Sequence, residues 1–176
     1  MKNKFLILVI LLIPFLTMAQ ETPANNFFEK YSGTEGYTSV YITKYMFELF
    51  AKITNDEENK EFNEITSNLN SIKILTIDSA LNVKNERKFD KELSSLLPKS
   101  DYKDLMIVKD GKQTVKFLIN EKDGKISEFL MIVYGDGDPV LIFIEGDIDL
   151  KKISKLSKTM NVEGFEYLDN VDKKDK

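Results

Sequence analysis

Between residues 27 and 98, the spacing of apolar side chains favours helices interrupted by short strands. Phe27, Phe28 and Tyr31 predict one helical turn. Residues 37–43 predict a β-strand, because they are rich in β-branched and aromatic side chains. Thr43 is suited to cap the helix that follows. That helix is predicted to bury one apolar face, made up of Tyr45, Met46, Leu49, Phe50 and Ile53.

Three more elements complete this half of the chain. Helical spacing continues over residues 57–69, and a short apolar strand follows at 72–77. A last helix is predicted over 84–97, with its apolar residues Phe89 and Leu93 one turn apart. Pro98 ends it, because proline cannot continue a helix.

After residue 100 the pattern changes to four β runs, at 102–109, 113–120, 125–134 and 139–145. Asp-Gly pairs between the runs favour tight hairpin turns. Leu150, Ile153 and Leu156 then predict a closing helix, with Asp147 and Asp149 suited to its N-terminus. We therefore predict an α+β fold. N-terminal helices and short strands precede a four-stranded antiparallel meander and a closing helix, arranged as a two-layer sandwich.

Two of the predicted strands are apolar on both faces, at 129–134 and 140–144. An antiparallel strand with one face in water should instead alternate apolar and polar residues. Either both faces are covered within one chain, partly by the N-terminal helices, or one face binds a partner or a second copy.

The first 19 residues have the features of a cleavable signal peptide. Lys2 and Lys4 precede an apolar run over 5–16, and small residues up to Ala19 permit cleavage before Gln20. The run is too short to span a bilayer. We predict a signal peptide (1–19), a disordered lead (20–26), one α+β domain (27–168) and a disordered tail (169–176). The mature protein is therefore expected to be periplasmic or secreted, with no stable membrane insertion.

Composition restricts the chemistry further. Loss of Lys2 and Lys4 with the signal peptide leaves 23 basic and 29 acidic residues, a net charge of −6. This balance argues against nucleic acid, which requires a basic surface. The chain has no Cys and no His, which excludes Ser-His-Asp and thiol catalysis and disfavours zinc, copper and iron sites.

The candidate chemical motifs are better interpreted as turns and helix caps. The acidic segments 134–139 and 145–149 lack the spacing of a calcium loop. The glycines in 32–36 lie between a helix and a strand, the reverse of a phosphate loop. Ser39 and Lys44 lie across a strand-to-helix break, so no catalytic pair is expected. We predict no catalytic, cofactor-binding or metal-binding residues, and no cofactor.

Residues 36–47, Gly-Tyr-Thr-Ser-Val-Tyr-Ile-Thr-Lys-Tyr-Met-Phe, follow a signal peptide and a short aromatic helix. In this context the segment resembles the 4252 family of domains of unknown function, which are small exported proteins of Bacteroidetes. The resemblance covers about 25–160, including the Ile74-Leu75-Thr76 strand. It implies a Gram-negative envelope location and, through neighbouring genes for extracytoplasmic sigma factors, an envelope-stress context. It implies no activity, cofactor or site residue.

These observations favour a non-enzymatic binding or interaction module of the cell envelope. Its expected partner is an envelope protein or a second copy of the chain. One alternative is a periplasmic small-ligand carrier, with a pocket between the helices and the sheet. Another is a hydrolase that uses carboxylates alone, which requires two acids facing each other in a cleft.

Overall fold

The protein is described by a computed structural model over residues 22–53, 57–77, 88–89, 91–93, 95, 102–135 and 138–153. The predicted signal peptide (1–19) and the predicted tail (169–176) lie outside the described residues. So do Pro98 and Leu156, and the loop residues 136–137.

The chain begins with helix α1 (Pro23–Tyr31), strand β1 (Tyr37–Thr43) and helices α2 (Lys44–Ile53) and α3 (Glu57–Thr66). Five further strands follow, namely β2 (Leu69–Ile77), β3 (Lys103–Asp110), β4 (Gln113–Lys122), β5 (Lys125–Tyr134) and β6 (Val140–Ile148). The described residues between 88 and 95 are helical, as are residues 150–153. The mixed α+β class is therefore confirmed.

All the strands of the described chain form one antiparallel sheet in the order β1-β2-β6-β5-β4-β3. The sheet is larger than the predicted four-stranded meander, because β2 pairs with β6 and thereby brings β1 into the same sheet. The turn between β4 and β5 has the predicted geometry. Asp123 and Gly124 have φ angles of 53° and 76°, the conformation that an Asp-Gly pair favours.

Helices pack on both faces of the sheet, so the predicted two-layer arrangement was wrong. On one face, Phe27 and Phe28 of α1 and Phe89 pack with Leu130 and Phe143. On the other face, α2 and α3 pack over the residues that point the opposite way, and Phe47, Ile65, Phe129, Met131 and Ile142 share that core. Strands β5 and β6 are apolar on both sides because the same chain covers both sides.

Helix α1 begins at Pro23, inside the span 20–26 that was predicted as a disordered lead. The Thr22 hydroxyl accepts a hydrogen bond from the Asn25 amide at 3.4 Å, and Pro23 takes the first helical position. Ala24 is buried against the sheet. Capping chemistry and packing therefore both fix the start of this helix.

Strand β2 begins at Leu69, whereas the sequence predicted a helix to 69 and a strand from 72. Ser71 and Lys73 are buried polar residues, and they interrupt the apolar pattern that marks a strand. Gly146 of β6 lies against this end of β2, where a Cβ would stand 2.3 Å from the Asn68 carbonyl oxygen. Glycine permits that close approach, and its φ of 150° is one that other residues rarely adopt.

Candidate partner-binding surface

Helix α2 exposes most of the apolar face that the sequence predicts to be buried. Tyr45, Met46, Leu49 and Phe50 are 69%, 43%, 39% and 47% exposed. Among the α2 side chains that the structure describes, Phe47 is instead the one buried in the core. The prediction of a buried face was wrong because α2 lies over β1 and β2, at one end of the sheet. There the helix contacts the core along only part of its circumference.

Strand β1 adds one apolar residue to this exposed region. Val40 is 42% exposed and pairs with Ile74 of β2. Ile74 packs against the core that contains Phe47, so Val40 is on the face of the sheet that α2 covers. We call this set the α2–β1 surface, defined by Val40, Tyr45, Met46, Leu49 and Phe50.

The α2 residues of this surface form two rows along the helix. Leu49 follows Tyr45 by four positions and Phe50 follows Met46 by four, so the members of each pair lie side by side. The Phe50 ring also packs edge-on against Phe62 of α3, with 6.3 Å between ring centroids. Contiguous exposed apolar patches on folded domains often mark interaction sites.

Two further large apolar residues are exposed in the described chain, and both lie apart from the α2–β1 surface. Tyr41 points to the opposite face of the sheet, where its ring centroid is 5.0 Å from the Lys73 ammonium nitrogen. Ile107 is on β3, at the far edge of the sheet, and is 45% exposed. Ile107 therefore provides a matched control for the surface.

A buried lysine joins α1 to the sheet on the opposite face. Lys73 is 5% exposed and donates a hydrogen bond to the Asn25 side-chain oxygen of α1. Its ammonium nitrogen lies 3.4 Å from a Glu145 carboxylate oxygen, and Ser71 donates to the same oxygen at 2.6 Å. Rings of Phe28, Tyr41 and Phe143 lie within 5.7 Å of the nitrogen. The hydrogen bond, the ion pair and the three rings together offset the cost of burying the Lys73 charge.

A second buried polar group, Glu128, lies next to this lysine site. The hydroxyl of Tyr102 donates a hydrogen bond to Glu128, and Glu128 is directly opposite Glu145 on the neighbouring strand. Burial raises the pKa of Glu128, and the charge of Glu145 raises it further, whereas hydrogen bonds from Tyr102 and Thr22 and the charge of Lys122 lower it. Burial and Glu128 also raise the pKa of Tyr102, so its hydroxyl keeps its proton.

The Glu128–Glu145 pair bears on the carboxylate-hydrolase alternative. Two acids do face each other across adjacent strands, which that alternative requires. Glu128 is however enclosed, with 3% of its surface exposed, and Glu145 is held in an ion pair with Lys73. We interpret the pair as part of the polar network that attaches α1 to the sheet. The hydrolase and the ligand carrier both stay untested predictions.

Of the two acids predicted at the N-terminus of the closing helix, Asp149 takes that role, whereas the prediction for Asp147 was wrong because it lies within strand β6. Asp147 pairs with Lys125 at 2.5 Å, and Asp149 accepts a hydrogen bond from the Lys151 amide at 2.9 Å, which caps the closing helix. Among the described residues, no group of three or more acidic side chains is arranged to hold a metal ion. Ser39 shares a hydrogen bond with Ser32 at 3.1 Å across the Gly33 turn.

A model of a protein family matches residues 31–156, and its description is Domain of unknown function (DUF4252). The chain belongs to the DUF4252 family. The match spans β1, α2 and every later strand, so the α2–β1 surface lies inside the family domain. Comparisons with curated proteins and with solved structures found no match. In the part of this DUF4252 chain that the structure describes, no helix is long and apolar enough to cross a membrane.

The sequence did not single out Lys73, Tyr102 or Glu128. Lys73 occupies an inward position on β2, where the alternation of the strand predicts an apolar residue. A charged residue at such a position was the one feature of the sequence that could have indicated a buried polar site. The exposed face of α2 gave no such signal, because an amphipathic pattern does not reveal whether the apolar side meets the core.

Proposed function

We propose that the mature protein is a non-enzymatic binding module of the cell envelope that contacts a partner protein through the α2–β1 surface. The observation that carries the proposal is the exposure of Tyr45, Met46, Leu49 and Phe50 on one helix, next to Val40. Covering apolar surface is favourable by about 25 cal/mol per Å². A partner that covers this surface would therefore gain affinity from each of the five side chains.

The chemistry of the surface favours a protein as the partner. Aromatic residues and Met are enriched at the centres of protein interfaces, and this surface holds Tyr, Phe and Met. Exposed Lys44, Glu48 and Lys52 on the same helix supply both signs of charge. The acidic balance of the mature chain disfavours phosphate-rich ligands such as nucleic acid or anionic lipid.

The proposed surface differs from the one that the sequence suggested. Strands β5 and β6 were candidates for a binding face, but Phe129 is fully buried on one face of the sheet, and so are Leu130, Leu141 and Phe143 on the other. Only α2 and the adjacent edge strand keep apolar side chains in contact with solvent on this scale among the described residues. The proposed envelope location rests on the signal peptide pattern and on the resemblance to exported proteins.

The test is capture of crosslinked envelope proteins by the tagged mature protein, compared across two charge-inserting variants. Leu49→Asp places a carboxylate within the α2–β1 surface, and Ile107→Asp places one at a similarly exposed apolar position on β3. We expect one dominant captured protein that is lost with Leu49→Asp and kept with Ile107→Asp. Equal capture by both variants and the parent would overturn the assignment of the surface.

A further inference from the structure

Strand β1 is an edge strand whose outer side pairs with no strand of the described chain. All seven of its residues, Tyr37 to Thr43, pair with β2 in a continuous register without a bulge. A regular edge of this length presents a row of backbone N–H and C=O groups that another strand can join.

The two edges of the sheet differ in how they are protected. Strand β3, at the far edge, carries Lys103, Asp104, Lys109 and Asp110, and a bulge lies between Asp104 and Met106. Charges and bulges are the usual devices that prevent an added strand. Strand β1 has no charge, no proline and no bulge, and its polar side chains are all hydroxyls. The sheet is therefore closed to extension at β3 and open at β1.

We infer that the partner at the α2–β1 surface is a second copy of this chain, joined by antiparallel pairing of the two β1 strands about a two-fold axis. This inference rests on the function proposed above and names its partner. It extends the six-stranded sheet of each copy into one continuous sheet across the pair.

The geometry of a two-fold axis accounts for the exposed helix face as well as the open edge. An axis perpendicular to the sheet near Val40 makes the two β1 strands antiparallel, as neighbouring strands of this sheet already are. Rotation about that axis keeps both copies of α2 on the same face of the extended sheet. Each α2 then lies near the junction, beside the α2 of the other copy. Tyr45 and Leu49 form the row that lies away from the Phe50–Phe62 contact with α3. These two residues can thus cover the same residues of the partner, as an isologous interface requires.

Charge favours self-pairing at this place over other parts of the molecule. The mature chain carries a net charge of −6, which makes two copies repel each other in general. Strand β1 contributes no charge, and α2 contributes two lysines and one glutamate. The α2–β1 region is therefore free of the acidic excess, and Lys44 or Lys52 of one copy can approach Glu48 of the other.

Sedimentation equilibrium of the mature protein tests the inference. We expect a reversible monomer–dimer equilibrium. Val40→Lys and Leu49→Asp should each weaken it by about tenfold or more, because each inserts a charge into the interface. Ile107→Lys, at the far edge, should leave the dimer unchanged. Circular dichroism and urea unfolding identify any variant that fails to fold, and Thr38→Lys then replaces Val40→Lys as the edge-blocking change.

Cysteine crosslinking reports the geometry directly, because the chain has no cysteine of its own. Val40→Cys should form an intermolecular disulfide under mild oxidation at least about tenfold faster than Ile107→Cys, since opposed Cβ atoms in antiparallel strands lie within disulfide reach. A dimer that resists Val40→Lys and crosslinks equally at both positions would overturn strand pairing. A strict monomer that still captures an envelope protein through Leu49 would overturn the inference that the partner is a second copy, and would leave the proposed function standing. A monomer that captures nothing would overturn both.

Discussion

Phe47 and Phe50 lie three residues apart on α2, yet Phe47 is 5% exposed and Phe50 is 47% exposed. Phe47 packs into the core beneath the helix, whereas Phe50 lies edge-on against Phe62 at the helix–helix contact. The division between the inner and outer sides of α2 therefore passes between two phenylalanines. The apolar pattern of the sequence placed Phe50 on the buried face and did not include Phe47, so the structure reverses the two predictions.

This division predicts unequal costs of truncation along α2. Phe47→Ala should lower the free energy of unfolding by about 3–5 kcal/mol, the usual cost of deleting a core phenylalanine. Leu49→Ala should change it by only about 0.5 kcal/mol, as expected for a surface position. Urea unfolding at dilute protein concentration, where the chain is monomeric, measures both. Similar costs for the two variants would mean that Leu49 is covered in the monomer.

The Lys73–Glu145 contact predicts a measurable coupling between β2 and β6. Lys73→Met keeps most of the volume within the three aromatic rings, so it should destabilise the protein less than Lys73→Ala does. A double-mutant cycle of Lys73→Met with Glu145→Gln should give a coupling free energy of about 0.5–3 kcal/mol. Chemical unfolding of the four proteins in the cycle supplies the value. A coupling indistinguishable from zero would show that the ion pair adds nothing to stability.

The raised pKa of Glu128 predicts a pH dependence of stability with a definite sign. Burial is the largest cause, so the folded protein holds the Glu128 proton more tightly than the unfolded chain does. Stability should fall as pH rises from the ordinary glutamate pKa, 4.5, to the raised folded value, and this loss should be complete above it. Glu128→Gln carries no such proton. As pH rises through this window, the unfolding free energy of the parent should therefore fall relative to that of the variant.

Tyr31 predicts a separate alkaline transition. Its hydroxyl donates to a Glu92 oxygen at 2.5 Å, and burial followed by this hydrogen bond raises the Tyr31 pKa to about 12. Stability that depends on protonated Tyr31 should decline between the ordinary tyrosine pKa of 10.0 and about 12. Glu92→Gln should lower the Tyr31 pKa, as followed by tyrosinate absorbance, with Tyr31→Phe identifying the signal. An unchanged titration in Glu92→Gln would contradict the assignment.

The sequence predicted the elements of the fold better than their assembly. The bounds of β1 and the Asp123-Gly124 turn followed from local chemistry, since β-propensity and positive φ are properties of a few adjacent residues. The pairing of β2 with β6 depends on contacts some seventy residues apart, such as Ile72 with Ile144, and no local pattern encodes them. The double-sided apolar character of β5 and β6 already favoured helices on both faces, which the two-layer prediction did not use.

The candidate site was less predictable for the same reason. An apolar helical face predicts burial of that face, and the pattern of Tyr45, Met46 and Leu49 is the same whether the cover is the chain's own sheet or another molecule. The contacts of the buried polar groups Lys73 and Glu128 were not predictable, because each group has partners from several elements. Those partners become apparent only when the strands are in register.

Site-specific photocrosslinking in living cells can determine whether the α2–β1 surface contacts another protein in the envelope. A photoreactive phenylalanine analogue at Tyr45, the most exposed residue of the surface, is compared with the same analogue at Ile107 on the far edge. We expect a discrete crosslinked protein product from position 45 and none above background from position 107. No product from position 45, or equal products from both positions, would contradict the claim that this surface binds a partner.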